Sequence, residues 1–283
     1  MEKIHHYTTI DTLALILKTK RIRFNRLDRV DDMIESRIYG KHDMSKYIFV
    51  SCWTIQQEES IPQWHIYTNK MKGVRISLDK DMFNYQPLVK PKSISDKDYI
   101  IEFGTESPIP FEELCTDDYF ILPIITNKKN LERTVEYVEN PYEYYKDVVS
   151  VSVDKDGIST MNIKEIVNFG MCKSLDWKFQ QEFRFALFIL PNLPIPPGGI
   201  TDRSYMERQP GFIMTSILNG VAPKIAHFDV ELNPKVFDNI EITLGPLNSE
   251  SDRIIIEALL KEYTKNGKLK LSSLTEKIRT PER

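Results

Sequence analysis

Residues 177–190, Trp177-Lys178-Phe179-Gln180-Gln181-Glu182-Phe183-Arg184-Phe185-Ala186-Leu187-Phe188-Ile189-Leu190, decide the fold. Side chains alternate faces along a strand. One face here reads Phe179, Gln181, Phe183, Phe185, Leu187 and Ile189. The other reads Gln180, Glu182 and Arg184, then Ala186, Phe188 and Leu190. The spacing predicts a strand over 179–190 that begins under a polar cleft and ends inside a core. Two apolar faces need cover on both sides, which places this strand at the centre of a layered domain. The expectation is a single α+β domain over residues 1–283, with two packed, mostly antiparallel sheets and peripheral helices.

The flanking sequence supplies the partners. Thr8 and Asp11 make a capping box ahead of Ile10, Leu13, Ala14 and Leu17, apolar positions at helical spacing. A basic run, 18–23, follows, and 21–24 alternates as a short strand. Residues 46–54 read as a buried strand with Ile48, Val50 and Cys52 on one face and Tyr47, Phe49, Ser51 and Trp53 on the other. Ser60 and Gln63 cap a second helix whose stripe is Trp64, Tyr67 and Met71; Gly73 stops it, and Val74, Ile76 and Leu78 alternate in the next strand. From 84 to 160 the pattern weakens. Residues 99–103 read as a strand and 131–145 as a tyrosine-rich helix, and no chemistry is placed there. Residues 240–244 form a strand, and 252–263 a last helix begun by Ser249 or Ser251.

Composition narrows the function. The chain carries 38 Lys and Arg against 41 Asp and Glu, a net charge of −3 with no basic block, so charge gives no support to a sequence-independent polyanion binder. Cys52, Cys115 and Cys172 are odd in number and far apart, making neither a disulfide framework nor a zinc pattern, which fits a reducing cytoplasm. No apolar run approaches the ~20 residues that cross a bilayer, so no membrane role is expected.

Five segments then carry a resemblance. His6-Tyr7-Thr8 before a capped helix, Val50-Ser51-Cys52-Trp53, Trp64-His65-Ile66-Tyr67 leading to Lys72-Gly73-Val74, the 177–184 stretch, and Leu244-Gly245-Pro246 before the last helix occur in order along nearly the whole chain. Together they resemble the bacterial family numbered 2971 among the domains of unknown function. That family usually has Glu where Gln180 stands and a small polar residue where Trp53 and Thr54 stand. More remotely, the layout is similar to the three-part pattern of mono-ADP-ribosyltransferases. The resemblance implies NAD as substrate without a metal, an ADP-ribosyltransferase-like fold, and a role in bacterial defence or conflict. It also implies that His6 and Tyr7 hold the nicotinamide-side ribose, that Ser51 and Tyr67 support the nicotinamide, and that Glu182 drives the chemistry.

The late strand has a physical case of its own. Nicotinamide leaves NAD through an oxocarbenium-like sugar, and a carboxylate near the anomeric carbon stabilises charge present mainly in the transition state. Glu182 is the candidate catalytic carboxylate. Gln180, about 7 Å away on the same strand face by strand rise, would orient an acceptor without a second negative charge. Each role has a plainer counterpart. Glu182 and Arg184 would pair at a sheet surface, His5 and His6 would be solvated near a terminus, Tyr67 would be core, and Cys52 a buried thiol. Asp31, Asp32 and Glu35 would form a solvated acidic face or helix start rather than a metal site. Two classes stay open. One is an NAD-consuming transferase or glycohydrolase acting on a protein, a nucleic acid or water. The other is a non-catalytic nucleotide- or protein-binding module with a degenerate transferase-like cleft.

Overall fold

The computed structural model describes residues 3–90, 101–153, 155 and 159–279. A strand that the sequence pattern does not mark precedes the expected elements, which then follow in order. Strand β1 (Lys3–Thr8) leads into helix α1 (Ile10–Thr19), strand β2 (Arg21–Arg26), strand β3 (Ile48–Thr54), helix α2 (Ile61–Tyr67) and strand β4 (Val74–Asp79). The α1 cap is Thr9, whose hydroxyl accepts from the Thr12 N–H, one residue later than the predicted Thr8 box. Thr8 is still in β1, opposite Val74, so its backbone is extended rather than turning into the helix. Ser60 caps α2 as the sequence predicts, accepting from the Gln63 N–H.

The predicted central strand runs over Glu182–Leu190, buried at every position. It pairs antiparallel with β3 from Glu182 opposite Thr54 to Phe188 opposite Ile48, and on its other edge with Glu132–Thr134 and Phe120–Ile121. Phe183, Phe185, Leu187 and Ile189 enter one core with α1, β4 and the helix Glu250–Tyr263; Ala186, Phe188 and Leu190 enter a second core with Val50 and Tyr47. The strand starts three residues later than expected. Residues Leu175–Gln180 form a 3-10 helix, and Gln181 turns left-handed at φ 41°, which breaks the two-residue alternation before Glu182.

The two packed sheets of the expectation are instead one ten-stranded sheet with three two-stranded sheets beside it. Among the described strands two pairings are parallel, Glu241–Leu244 with Lys268–Leu271 and Glu136–Val138 with Cys172–Ser174. The predicted helix over 131–145 is replaced by strands Glu132–Thr134 and Glu136–Val138 and a short helix, Pro141–Tyr145. Its first part edges the central strand, and Asn140 with Pro141 starts the helix late. Of the predicted strand over 99–103, residues 99 and 100 lie outside the described residues, and the strand present is Ile101–Ser107.

One irregularity of the large sheet positions the site. β1 follows β4 along its whole length but meets β3 at a single pair, His5 opposite Thr54. β2 meets β3 at the other end, with Asn25 opposite Val50 and Arg26 opposite Phe49. The two strands part, and the β3 edge at Ser51, Cys52 and Trp53 is left uncovered by either register.

Candidate functional site in the sheet split

A cavity of about 600 Å³ opens at this split, a volume in the range of small-molecule sites. His6, Tyr7, Ser51, Tyr67, Gln180 and Glu182, the six residues singled out from sequence, all line it. They come from four separate parts of the chain, so only the fold brings them together.

The β3 pairing sorts them by face. Cys52 is opposite Arg184 and Thr54 opposite Glu182, so these side chains share a face; Ser51 is opposite Phe185 and lies on the other. Of the two hydroxyl and thiol neighbours, it is Cys52 that shares the face of Glu182. Burial first, then the neighbouring Glu182 charge, pushes the Cys52 thiol well above its usual range. Cys52 is therefore a protonated thiol, poorly suited to nucleophilic attack. Ser51 is buried and accepts from the Trp53 indole N–H at 3.1 Å.

His6 is held rather than frayed. Its Nδ1–H donates to the Cys52 carbonyl at 2.9 Å and its ring lies 5.1 Å from the Trp53 ring. Burial lowers its pKa, against the pull of that carbonyl, so the ring is neutral near pH 7. With Nδ1 carrying the proton, Nε2 is left as a lone-pair acceptor. His5 points to the opposite face and is buried where His6 is half-buried: Nε2–H donates to Gln57 Oε1 at 3.2 Å, and Nδ1 accepts from the Ser77 hydroxyl at 2.8 Å. The solvated-terminus reading of these histidines does not hold, because β1 is an interior strand between β3 and β4. Tyr7 has its hydroxyl accepting from the Ser60 N–H at 2.9 Å and its ring edge-on to Trp64 at 4.8 Å, so it props α2 as well as lining the cavity.

At the other wall Glu182 sits in a buried quartet. Arg184 donates Nε to Glu182 Oε1 at 2.5 Å and Nη2 to Oε2 at 3.2 Å; Lys173 Nζ donates to Oε2 at 3.0 Å. Glu35 completes the set with two bonds from Arg184 and an approach of 3.5 Å to Lys173. All four side chains are 5% exposed or less. The pairing of Glu182 with Arg184 expected at a sheet surface is real but buried, and Glu35 is its counter-ion rather than part of a solvated acidic face. Burial alone would raise the Glu182 carboxyl; Arg184 and then Lys173 outweigh it and hold it at about 2. Burial would likewise lower Arg184, and the two carboxylates reverse that and raise it well above its usual value.

Gln180 reaches the same place from outside the strand. It ends the 3-10 helix, so the strand-face relation to Glu182 predicted from sequence is absent. Lys173 joins them instead, donating to Gln180 Oε1 at 2.9 Å. The Gln180 amide N–H donates to the Tyr67 hydroxyl, which donates in turn to Asp31 Oδ2 at 2.6 Å. Burial, then that bond, raises the Tyr67 pKa. Tyr67 is therefore a bridge between α2 and the 30–36 loop more than core. Lys173, Glu35, Asp31 and Tyr137, whose hydroxyl accepts from the Glu182 N–H at 2.8 Å, were not foreseen as site residues. Among the described residues no group of three or more His, Cys, Asp or Glu is arranged to hold a metal, and no helix is long and apolar enough to cross a membrane. Comparison with family models, curated proteins and solved structures finds nothing that matches this chain.

Proposed function

We propose that the split-sheet cavity binds NAD and that the chain is an ADP-ribosyltransferase-like protein of the 2971 family that cleaves the nicotinamide bond, with a bacterial defence or conflict role. One observation carries the reading. A nucleoside-sized cavity gathers a neutral histidine with an acceptor nitrogen, a tyrosine and a carboxylate held ionised near neutral pH from distant parts of the sequence. In this mechanism His6 Nε2 accepts from a ribose hydroxyl and the Tyr67 ring flanks the nicotinamide. Glu182 faces the anomeric carbon, where its charge stabilises the oxocarbenium that forms as nicotinamide departs. The acceptor, a protein or nucleic-acid group or water, then takes the ADP-ribosyl group.

A second reading is favoured by the saturation of Glu182. Its oxygens already take two bonds from Arg184 and one from Lys173, most of the capacity of a carboxylate. A quenched carboxylate suits a module that binds the nucleotide without turning it over. Incubation of the pure protein with NAD, with calorimetric binding measured alongside nicotinamide release, separates the two. Binding with release supports the enzyme, binding without release the module, and no binding overturns both.

A further inference from the structure

We propose that Lys173 is the positioning residue of this cavity, setting the mutual orientation of Glu182 and Gln180; the proposal rests on the NAD-cleaving reading above. The geometry separates Lys173 from its neighbour Arg184. Every N–H of Arg184 is committed: Nε and Nη2 to Glu182, Nη1 and Nη2 to Glu35, and Nη1 again to the Gly170 carbonyl at 3.0 Å. A guanidinium fixed at five donors with no exposure is a rigid pillar. It touches Glu182 and Glu35 but not Gln180.

Among the described residues Lys173 is the side chain that bonds to both candidate groups, at 2.9 Å from Gln180 Oε1 and 3.0 Å from Glu182 Oε2. The bond to Oε1 decides which end of the Gln180 amide faces the cavity wall, and so turns its N–H₂ toward Tyr67. The bond to Oε2 fixes the rotation of the Glu182 carboxylate about the anchor that Arg184 provides. Cys172 and Ser174 flank Lys173 in a short strand paired with Glu136–Val138, and its ammonium lies 4.8 Å from the Trp177 ring centre, so the position is built rather than adventitious. The charged and titratable groups facing Glu182 are Arg184, Lys173, Cys52 and Tyr67, with Glu35 behind Arg184 and the Tyr137 hydroxyl on its backbone N–H.

The test compares the parent with Lys173→Met and Lys173→Arg. In kinetics at pH 7, Lys173→Met is expected to lower kcat for nicotinamide release roughly tenfold or more with KM within about threefold, because binding contacts elsewhere in the cavity persist while the transition-state group is misaligned. Lys173→Arg is expected to restore part of the loss. A merely structural lysine would lower the melting temperature and leave kcat of the folded protein unchanged. The second readout needs no turnover. In protein carrying 13C-labelled glutamate, the carboxyl signal absent from Glu182→Gln belongs to Glu182. It is expected to remain ionised at about pH 4 in the parent and to begin protonating there in Lys173→Met, since a neighbouring cation has been removed from a buried carboxylate. An unchanged Glu182 signal, or an unchanged kcat, in Lys173→Met overturns the proposal. Should Lys173→Met fail to fold, Lys173→Gln carries the same measurements. A parent that releases no nicotinamide ends the cleavage reading by itself, while the carboxyl signal still decides whether Lys173 sets the state of Glu182.

Discussion

Glu35 and Arg184, 149 positions apart in sequence, close a two-bond fork at 2.6 and 2.8 Å with neither side chain more than 1% exposed. The fork ties the 30–36 loop to the central strand and leaves no room for a neutral replacement on one side only. Glu35→Gln is expected to destabilise the protein by about 3–5 kcal/mol, the range for breaking a buried pair and stranding its partner charge. Urea unfolding of parent and variant measures it, and a loss under about 1 kcal/mol, as for an exposed pair, would contradict the buried quartet.

Glu182→Gln keeps the shape of the side chain and removes its charge. On the enzyme reading nicotinamide release is expected to fall by roughly 100-fold or more while NAD binding persists. Its stability is expected to drop as for Glu35→Gln, so activity is compared at equal folded fraction. The companion change, Gln180→Glu, places a carboxylate where Lys173 already stands 2.9 Å away; it is expected to fold and to raise transfer to an acceptor.

Acid is expected to act first through the histidines. Burial, then Arg75, lowers His5 from an ordinary 6.5 to about 4. The unfolded chain therefore binds more protons between those values, and the stabilisation is present above pH 6.5 and lost as the pH falls through 4. The full contribution is about 3 kcal/mol by linkage. His6, also lowered, acts in the same direction. Glu182 extends the decline: its contribution is present above pH 4.5 and is lost as the pH falls toward about 2. Denaturation midpoints between pH 7 and pH 4 should show a shallower slope for His5→Asn than for the parent.

Gly73 permits a close crossing rather than a special backbone angle. A Cβ there would stand 2.5 Å from the Thr8 carbonyl and 2.7 Å from Thr68 Cβ. Gly73→Ala is expected to cost about 1–3 kcal/mol through displacement of the end of β1, and NAD binding is expected to weaken with it because His6 and Tyr7 lie on that strand. A melting temperature equal to that of the parent would refute the crossing.

The parts legible in sequence were those with a strong local period. Phe183 to Leu190 announced a central strand because apolar residues recur on both faces, and Ser60 announced α2 because a cap is a contact three residues long. The start of that strand was misread because Gln181 is left-handed, and nothing in a run of two glutamines and a glutamate marks a positive φ. β1 escapes the pattern because His5 and His6 look polar, yet His5 is buried and His6 half-buried, each held by a partner from a distant segment, Ser77 and Cys52. The six expected site residues converge on one cavity; Lys173 joins them through partners 7 and 9 positions away, while Glu35 and Tyr137 stand behind the lining, tied to Arg184 and Glu182 across 149 and 45 positions. Charge alone gave Glu35 to solvent; only the position of Arg184 explains its burial.

The pairing of β3 with the central strand also sets an order of events during synthesis. The Thr54 hydroxyl and the Gln181 carbonyl that it meets are 127 positions apart, so β3 leaves the ribosome long before its longest partner. At roughly 5–20 residues per second that interval is on the order of ten seconds, against microseconds for forming a local hairpin. Throughout it, β3 presents Phe49 and Trp53 on one side, Ile48 and Val50 on the other, and an open edge that invites pairing with another nascent chain. The element that organises the finished cavity thus waits with an open edge until the central strand is made, and a polypeptide stalled before Glu182 keeps that edge exposed.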